Sequence, residues 1–300
     1  MSAADLAARA LRAIRSAVTI GCSGALAMLS PASAACPVCG RAFRGQGKVS
    51  FAGLCPACTE AIPWIRRIEC PVCGRPERCG DCARRTAASF VASRSAVRYD
   101  ASVRSWLATY KYRGHEALGP VLGEMMAEAC RHLLAERRAR YPHFRFDALV
   151  PVPLSEERLA ERGFNQAEQL ASCVGARCSI PVVEALRRTR NSGKQSYISR
   201  RERMRNTQGL FAADESRLPA LFLPNDTRSR SIESLVATFW PTFGSSPTPH
   251  AGQPLRLLLI DDIYTTGSTI DACAGALSES LRRLYPGTSV EIYALTLARS

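Results

Sequence analysis

The residue types that could do chemistry concentrate in one run, Leu257-Leu258-Leu259-Ile260-Asp261-Asp262-Ile263-Tyr264-Thr265-Thr266-Gly267-Ser268-Thr269. Leu257 to Ile260 predict a short strand buried on both faces of a parallel sheet. Asp261 and Asp262 follow at its carboxyl end, where ligands of open α/β sheets sit. Carboxylates accept hydrogen bonds from sugar hydroxyls and repel phosphate. Thr265, Thr266, Gly267, Ser268 and Thr269 can curl so that backbone N–H groups, hydroxyls and the start of a helix from Ser268 on face an anion. A sugar with hydroxyls on one side and a phosphate on the other matches that order of parts. The plainer account is a buried strand, an acidic turn and a capped helix. It leaves the order of the features unexplained. Other phosphate-binding patterns are absent, both G-x-x-x-x-G-K-[ST] and a strand-flanked G-x-G-x-x-G.

A second chemistry lies nearer the amino end. Eight of the 13 cysteines form four C-x-x-C pairs, Cys36/Cys39, Cys55/Cys58, Cys70/Cys73 and Cys79/Cys82, within 47 residues. A C-x-x-C turn presents two thiolates to one ion, and two such turns complete a tetrahedral four-thiolate site. The arithmetic gives two structural Zn2+ ions. Sequential pairing is the simplest arrangement, and an interleaved one or a single filled site stays open. A disulfide framework would need an oxidising compartment, and nothing nearby reads as a strand–helix redox unit. Cys22, Cys130, Cys173, Cys178 and Cys273 lack partner spacing and read as ordinary buried residues.

The elements that must position these groups are legible between the two sets. Helical spacing runs over Ser105 to Tyr112 and Glu116 to Arg138, with Leu118, Val121, Leu122, Met125, Met126 and Leu133 on one side. Phe146 to Pro153 reads as a strand ended by its prolines. Arg162-Gly163-Phe164-Asn165-Gln166 then precedes a helix from about Gln166 to Cys178, the place for a second anion cradle. A basic segment follows, with Arg187, Arg188, Arg190, Lys194, Arg200, Arg201, Arg203 and Arg205. A solvated basic face accounts for it plainly, whereas a multiply charged leaving group gives it a purpose.

The strand–carboxylate–turn run resembles the ribose-phosphate signature of type I phosphoribosyltransferases. The multi-cysteine N-terminus, Lys111-Tyr112-Arg113-Gly114, Pro151-Val152-Pro153 with Arg162-Gly163-Phe164-Asn165-Gln166, the segment holding Gln195, Arg203 and Asn206, and the Asp261-Asp262 run occur in the order seen in ComF-type competence proteins. Those proteins resemble phosphoribosyltransferases with a double zinc ribbon, and some are linked to DNA uptake in natural transformation. The resemblance covers most of residues 36–211 and 256–300. It implies an α/β fold, a mostly parallel sheet flanked by helices, behind a small zinc-ribbon module. It implies phosphoribosyl pyrophosphate as ligand with Mg2+, and transfer of ribose 5-phosphate to an acceptor it does not name. Asp261 and Asp262 would hold the ribose hydroxyls, and Thr265 to Thr269 the 5′-phosphate. The turn at Arg162 and Gly163 would hold the pyrophosphate, with Arg162, Lys194 or Arg203 neutralising it as it leaves. A non-catalytic factor that binds single-stranded DNA or the uptake machinery, keeping the ligand site as a sensor, is the alternative.

Composition bounds the rest. The chain has 300 residues, 46% hydrophobic, and a formal net charge of +14, enough for one sizeable core and a smaller module. Residues 1–98 contribute +9 and residues 158–205 contribute +7, so the remainder sums to −2. Polyanion contacts are therefore expected at two defined segments. Residues 1–35 read as a helical or poorly ordered extension. Arg9, Arg12, Arg15, the apolar stretch from Ala17 and Ala32-Ser33-Ala34 also resemble an export signal, but export would place thiolate sites in an oxidising space. No stretch is long enough for a membrane span, and a cytoplasmic location is expected. The expected domains are residues 36–90 for the double zinc ribbon and 91–300 for the larger domain. Residues 212–255, with six prolines, form an insert longer than ordinary connections.

Overall fold

The computed structural model describes residues 34–43, 51–83, 88–112, 118–189, 209–223 and 253–300. Its contacts divide the chain into two units, Met1–Glu60 and Ala61–Ser300. In the smaller unit, strands β1 (Ala34–Ala35) and β2 (Ala42–Phe43) pair antiparallel. The turn between them carries Cys36 and Cys39, and Gly40 closes it in the left-handed region at φ 71°. Helix α1 (Pro56–Glu60) follows Cys55 and carries Cys58.

The larger unit holds helix α2 (Gly80–Ala83), strand β3 (Ala92–Arg98), helices α3 (Ala101–Tyr112) and α4 (Leu118–Arg140), and strand β4 (Ala148–Pro151). Helices α5 (Glu156–Arg162) and α6 (Gln166–Cys178) follow, then strands β5 (Leu186–Arg188), β6 (Phe211–Ala213) and β7 (Leu255–Tyr264), helix α7 (Ser268–Leu284) and strand β8 (Val290–Arg299). Four of these strands form an all-parallel sheet in the order β3-β8-β7-β4. Strands β5 and β6 pair antiparallel beside it. The two central strands are apolar because helices cover both faces: Leu257, Leu258, Leu259 and Ile260 are fully buried, as are Ala294, Leu295, Leu297 and Ala298. The face of α4 expected from helical spacing is the buried one, Leu118, Val121, Leu122, Met125, Met126 and Leu133.

Two local features differ from the sequence expectation. Strand β7 does not stop at its carboxylates but pairs with β8 as far as Tyr264 opposite Arg299. The extra helix α5 stands before the turn at Gly163. Ser155 caps it, accepting from the Arg158 N–H at 3.4 Å, and Gly163 closes it at φ 77°. Of the proline-rich segment, residues 212–223 and 253–255 are described. A 3-10 turn over Leu218–Phe222 buries Leu218, Ala220 and Leu221 there, and Phe222 packs on Tyr285. Leu235 to Trp240 lie outside the described residues, as does nearly all of the 1–35 extension.

The second set of cysteines belongs to the larger unit. Cys70 and Cys73 are buried in its core with Phe90 and Tyr264, and the Ser93 N–H donates to the Val72 carbonyl at 2.6 Å. Gly74 makes this approach possible. Its φ is +69°, and a Cβ there would stand 2.5 Å from the Ser93 carbonyl oxygen. Gly74→Ala is therefore expected to cost about 1–3 kcal/mol. Calorimetry should show the melting midpoint fall by about 2–4 °C for each kcal/mol, and an unchanged midpoint would refute the packing argument.

Candidate functional site

Neighbouring residues on a strand point to opposite faces of the sheet, so Asp261 and Asp262 leave the end of β7 in different directions. Asp262 turns toward α3, where its Oδ2 forms an ion pair with Lys111 Nζ; both side chains are largely buried, at 15% and 16% exposure. Asp261 turns toward α7 and the fully buried Cys273. The Asp261 Oδ1 accepts the Asp262 N–H at 2.8 Å. Burial, then the neighbouring Asp262 charge, push the Asp261 carboxyl up to about 7. The Asp262 N–H and Lys111 offset only part of that rise. The same burial pushes the Cys273 thiol up, with Asp261 adding to it.

These acids line a cleft of about 190 Å³ together with Val152, Pro153, Leu154, Arg158, Arg162, Asn165, Gln166, Arg188, Phe211 and Thr269. Its basic wall is held by the turn between α5 and α6. Asn165 caps α6 by accepting from the Ala167 N–H at 3.1 Å and ties the turn to the end of β4 by donating to the Val152 carbonyl at 3.2 Å. Arg162 Nη1 donates to Gln166 Oε1 at 2.8 Å. Tyr110 braces the turn from α3, its hydroxyl donating to Gln169 Oε1 at 2.8 Å and its ring edge-on to Phe164 at 5.5 Å. Arg188 reaches the cleft from β5 over the Phe211 ring. Burial, then the nearby Arg158 cation, lower its pKa. Two like charges close enough to oppose each other form a site that favours an anion between them.

The third wall is the bend from β7 into α7. Gly267 stands at the N-cap with φ 78° and no side chain to cap the helix, and the Ser268 N–H donates to Thr266 Oγ1 at 3.4 Å. Thr266 Oγ1 and Ser268 Oγ lie 3.0 Å apart, and Thr269 faces the cleft. Thr265 is exposed, whereas Gly267 is buried.

The cysteines assemble in sequential order. Cys36, Cys39, Cys55 and Cys58 form one cluster and Cys70, Cys73, Cys79 and Cys82 another, with the sulfurs of each within 4.8 Å of one another. Cys39 Sγ lies 3.7 Å from Cys55 Sγ, and Cys73 Sγ lies 3.6 Å from Cys79 Sγ. A tetrahedral ion with bonds of about 2.3 Å sets its sulfurs about 3.8 Å apart. Both clusters therefore fit a four-thiolate metal ion, with all four ligands protein-supplied.

Among the described residues no helix is long and apolar enough to cross a membrane. No protein-family model matches the chain. The chain is 27% identical over 256 residues to the competence protein ComFC of Bacillus subtilis, covering 82% of this chain and 84% of that one. It is 26% identical over 231 residues to ComFC of Streptococcus pneumoniae, covering 76% and 82%. It is 23% identical over 232 residues to the DNA utilization protein YhgH of Escherichia coli, covering 75% and 84%. The chain is a relative of the ComF competence proteins.

Of the residues that ComF likeness singles out, Asp261, Asp262, Arg162 and Thr269 line the cleft. Thr265, Thr266, Gly267 and Ser268 form the adjoining bend, and Gly163 closes α5 beside it. Lys194 and Arg203 lie outside the described residues, as do Arg113 and Gly114. Arg188 belongs to the basic segment expected to meet a charged leaving group, whereas Lys111, Arg158 and Arg299 have no individual role in the sequence reading. Lys111 lies in the Lys111-Tyr112-Arg113-Gly114 run and Arg158 in the basic window 158–205, but Arg299 gives no local signal.

The raised Asp261 pKa carries a signed consequence. The unfolded carboxyl ionises near its ordinary 3.8 and the folded one near 7, so the folded state loses stability as pH rises between those values. Asp261→Asn removes that penalty. Its melting midpoint should exceed that of the unmodified protein most at pH 7 and above, with the gain shrinking as pH falls toward 4. A gain independent of pH would contradict the assignment.

Proposed function

We propose that this protein binds phosphoribosyl pyrophosphate with Mg2+ and transfers ribose 5-phosphate to an acceptor, in a DNA-uptake role supported by relatives named competence and DNA utilization proteins. The observation that supports this best is the meeting of acids and cations in one cleft. Asp261, Asp262, Arg158, Arg162 and Arg188 line it together, with Thr269 from the start of α7. That set of acceptors, cations and amides suits a ribose held between a 5′-phosphate and a diphosphate.

In this reading Asp261 and Asp262 accept the ribose hydroxyls, and the bend from Thr265 to Thr269 receives the 5′-phosphate. The bond from C1 to the diphosphate oxygen breaks with its electron pair leaving on pyrophosphate, and the acceptor's nucleophilic atom bonds to C1. Arg158, Arg162 and Arg188 neutralise the departing charge. The carboxylates at the strand end are hard oxygen ligands of the kind Mg2+ takes, and a bound ion would add positive charge beside the diphosphate. Zn2+ is the proposed occupant of both cysteine clusters, since a four-thiolate tetrahedral set is its usual structural site.

One observation favours the sensor alternative. Lys111 already occupies Asp262, so a sugar must displace that ion pair or share it. A protein that reports on its ligand through Lys111 needs no acceptor at all.

Calorimetry with phosphoribosyl pyrophosphate and Mg2+ tests the site. The unmodified protein should bind, and Asp261→Asn with Asp262→Asn should weaken binding by at least roughly tenfold, about 1.4 kcal/mol. Equal heats for both proteins would refute the assignment. Pyrophosphate release on adding nucleobases then marks a catalyst, and binding without release marks a sensor.

A further inference from the structure

Arg299, near the end of β8, is 5% exposed. Its Nη1 donates to the carbonyl oxygens of Tyr264 at 3.0 Å and Thr265 at 2.8 Å, and to a main-chain oxygen of Ser300 at 2.6 Å. Its Nη2 points the other way, to Cys73 Sγ at 3.7 Å. The guanidinium also lies over the Tyr264 ring, 4.3 Å from its centroid. That ring stands edge-on to Phe90 and presses on Gly267, where an added Cβ would meet the Tyr264 hydroxyl at 2.1 Å. A single buried side chain thus touches a sulfur of the second cysteine cluster and both carbonyls that lead into the bend before α7. Through Tyr264 it also backs the glycine at the α7 N-cap.

We infer that Arg299 couples the two places, so that a metal ion in the second cysteine cluster holds the 265–269 bend in its anion-receiving shape. Arg299 is a positioning residue, acting through Tyr264 and Thr265. The physical basis is a rigid fork with two fixed ends. A metal-bound thiolate carries charge for Nη2 to bond, and such outer hydrogen bonds orient both partners. When the ion leaves, the four sulfurs lose their common anchor and the acceptor of Nη2 moves. The fork then holds the Tyr264 and Thr265 carbonyls less firmly. Coupling is reciprocal, so a ligand in the bend must in turn retain the ion. The first cluster lies in the other unit. This gives the second cluster a task beyond stapling a small domain.

The test uses the full chain loaded with zinc, in a Cys39→Ser background that breaks the first cluster and leaves one ion. Hydrogen exchange by mass spectrometry reads the amides of residues 265–269, with α6 as an internal reference. Removing the ion with a chelator should speed exchange in the bend by roughly tenfold while α6 stays protected. With the ion still bound, Arg299→Ala should speed exchange in the bend to a similar degree, and Arg299→Lys should restore part of the protection. If zinc removal unfolds the whole unit, the ion-bound Arg299 variants alone decide. Unchanged bend exchange in zinc-loaded Arg299→Ala overturns the inference.

A last arm rests on the ligand reading. Phosphoribosyl pyrophosphate with Mg2+ should slow zinc release to a chelator in the Cys39→Ser protein and have no such effect once Arg299→Ala is added. Binding without slower release overturns the coupling and leaves the ligand reading intact. Absence of binding defeats the ligand reading, and the exchange measurements still decide the coupling.

Discussion

Two carboxylates on consecutive residues at the buried end of a central strand set the terms for everything around them. Burial and the neighbouring Asp262 charge work against ionisation of Asp261. The strand's alternation sends them to opposite faces, and each face answers differently. Lys111 neutralises Asp262 from α3. Asp261 accepts the backbone N–H of Asp262, and its carboxyl is pushed up to about 7.

The opposite wall carries the complementary problem. Arg158 and Arg162 from α5 and Arg188 from β5 line the same cleft, and the Arg158 and Arg188 cations oppose each other. Asn165, Gln166 and Tyr110 hold the turn so that this repulsion does not simply push the cations out to solvent. Acids and cations gathered in one cleft require a rigid frame. The parallel sheet, with the middles of β7 and β8 buried at its centre, provides that frame.

Much of this was legible in the chain. Leu257 to Ile260 followed by two acids, a glycine and hydroxylic residues placed a strand, a bend and a helix start, and α7 begins at Ser268 as expected. The four C-x-x-C pairs gave the ligand sets, because a knuckle is a local turn whose geometry depends on a few neighbouring residues. The strand's true end was not legible. Nothing in Asp261-Asp262-Ile263-Tyr264 signals that β8 will pair with it as far as Arg299. Helix α5 was also missed, since seven residues rich in charge carry little apolar periodicity.

The sequence by itself determined the local pieces: which cysteines pair in knuckle turns, which residues bend, and which strands bury both faces. Each depends on contacts between residues a few positions apart, where spacing is a physical signal. Tertiary structure alone decided that Lys111 meets Asp262, that Arg188 faces the cleft, and that the second cysteine cluster packs against the sheet. It also brought Arg299 to Cys73, 226 positions away in the chain. At such separations spacing carries no geometric meaning, and only the packing of the sheet brings the partners together.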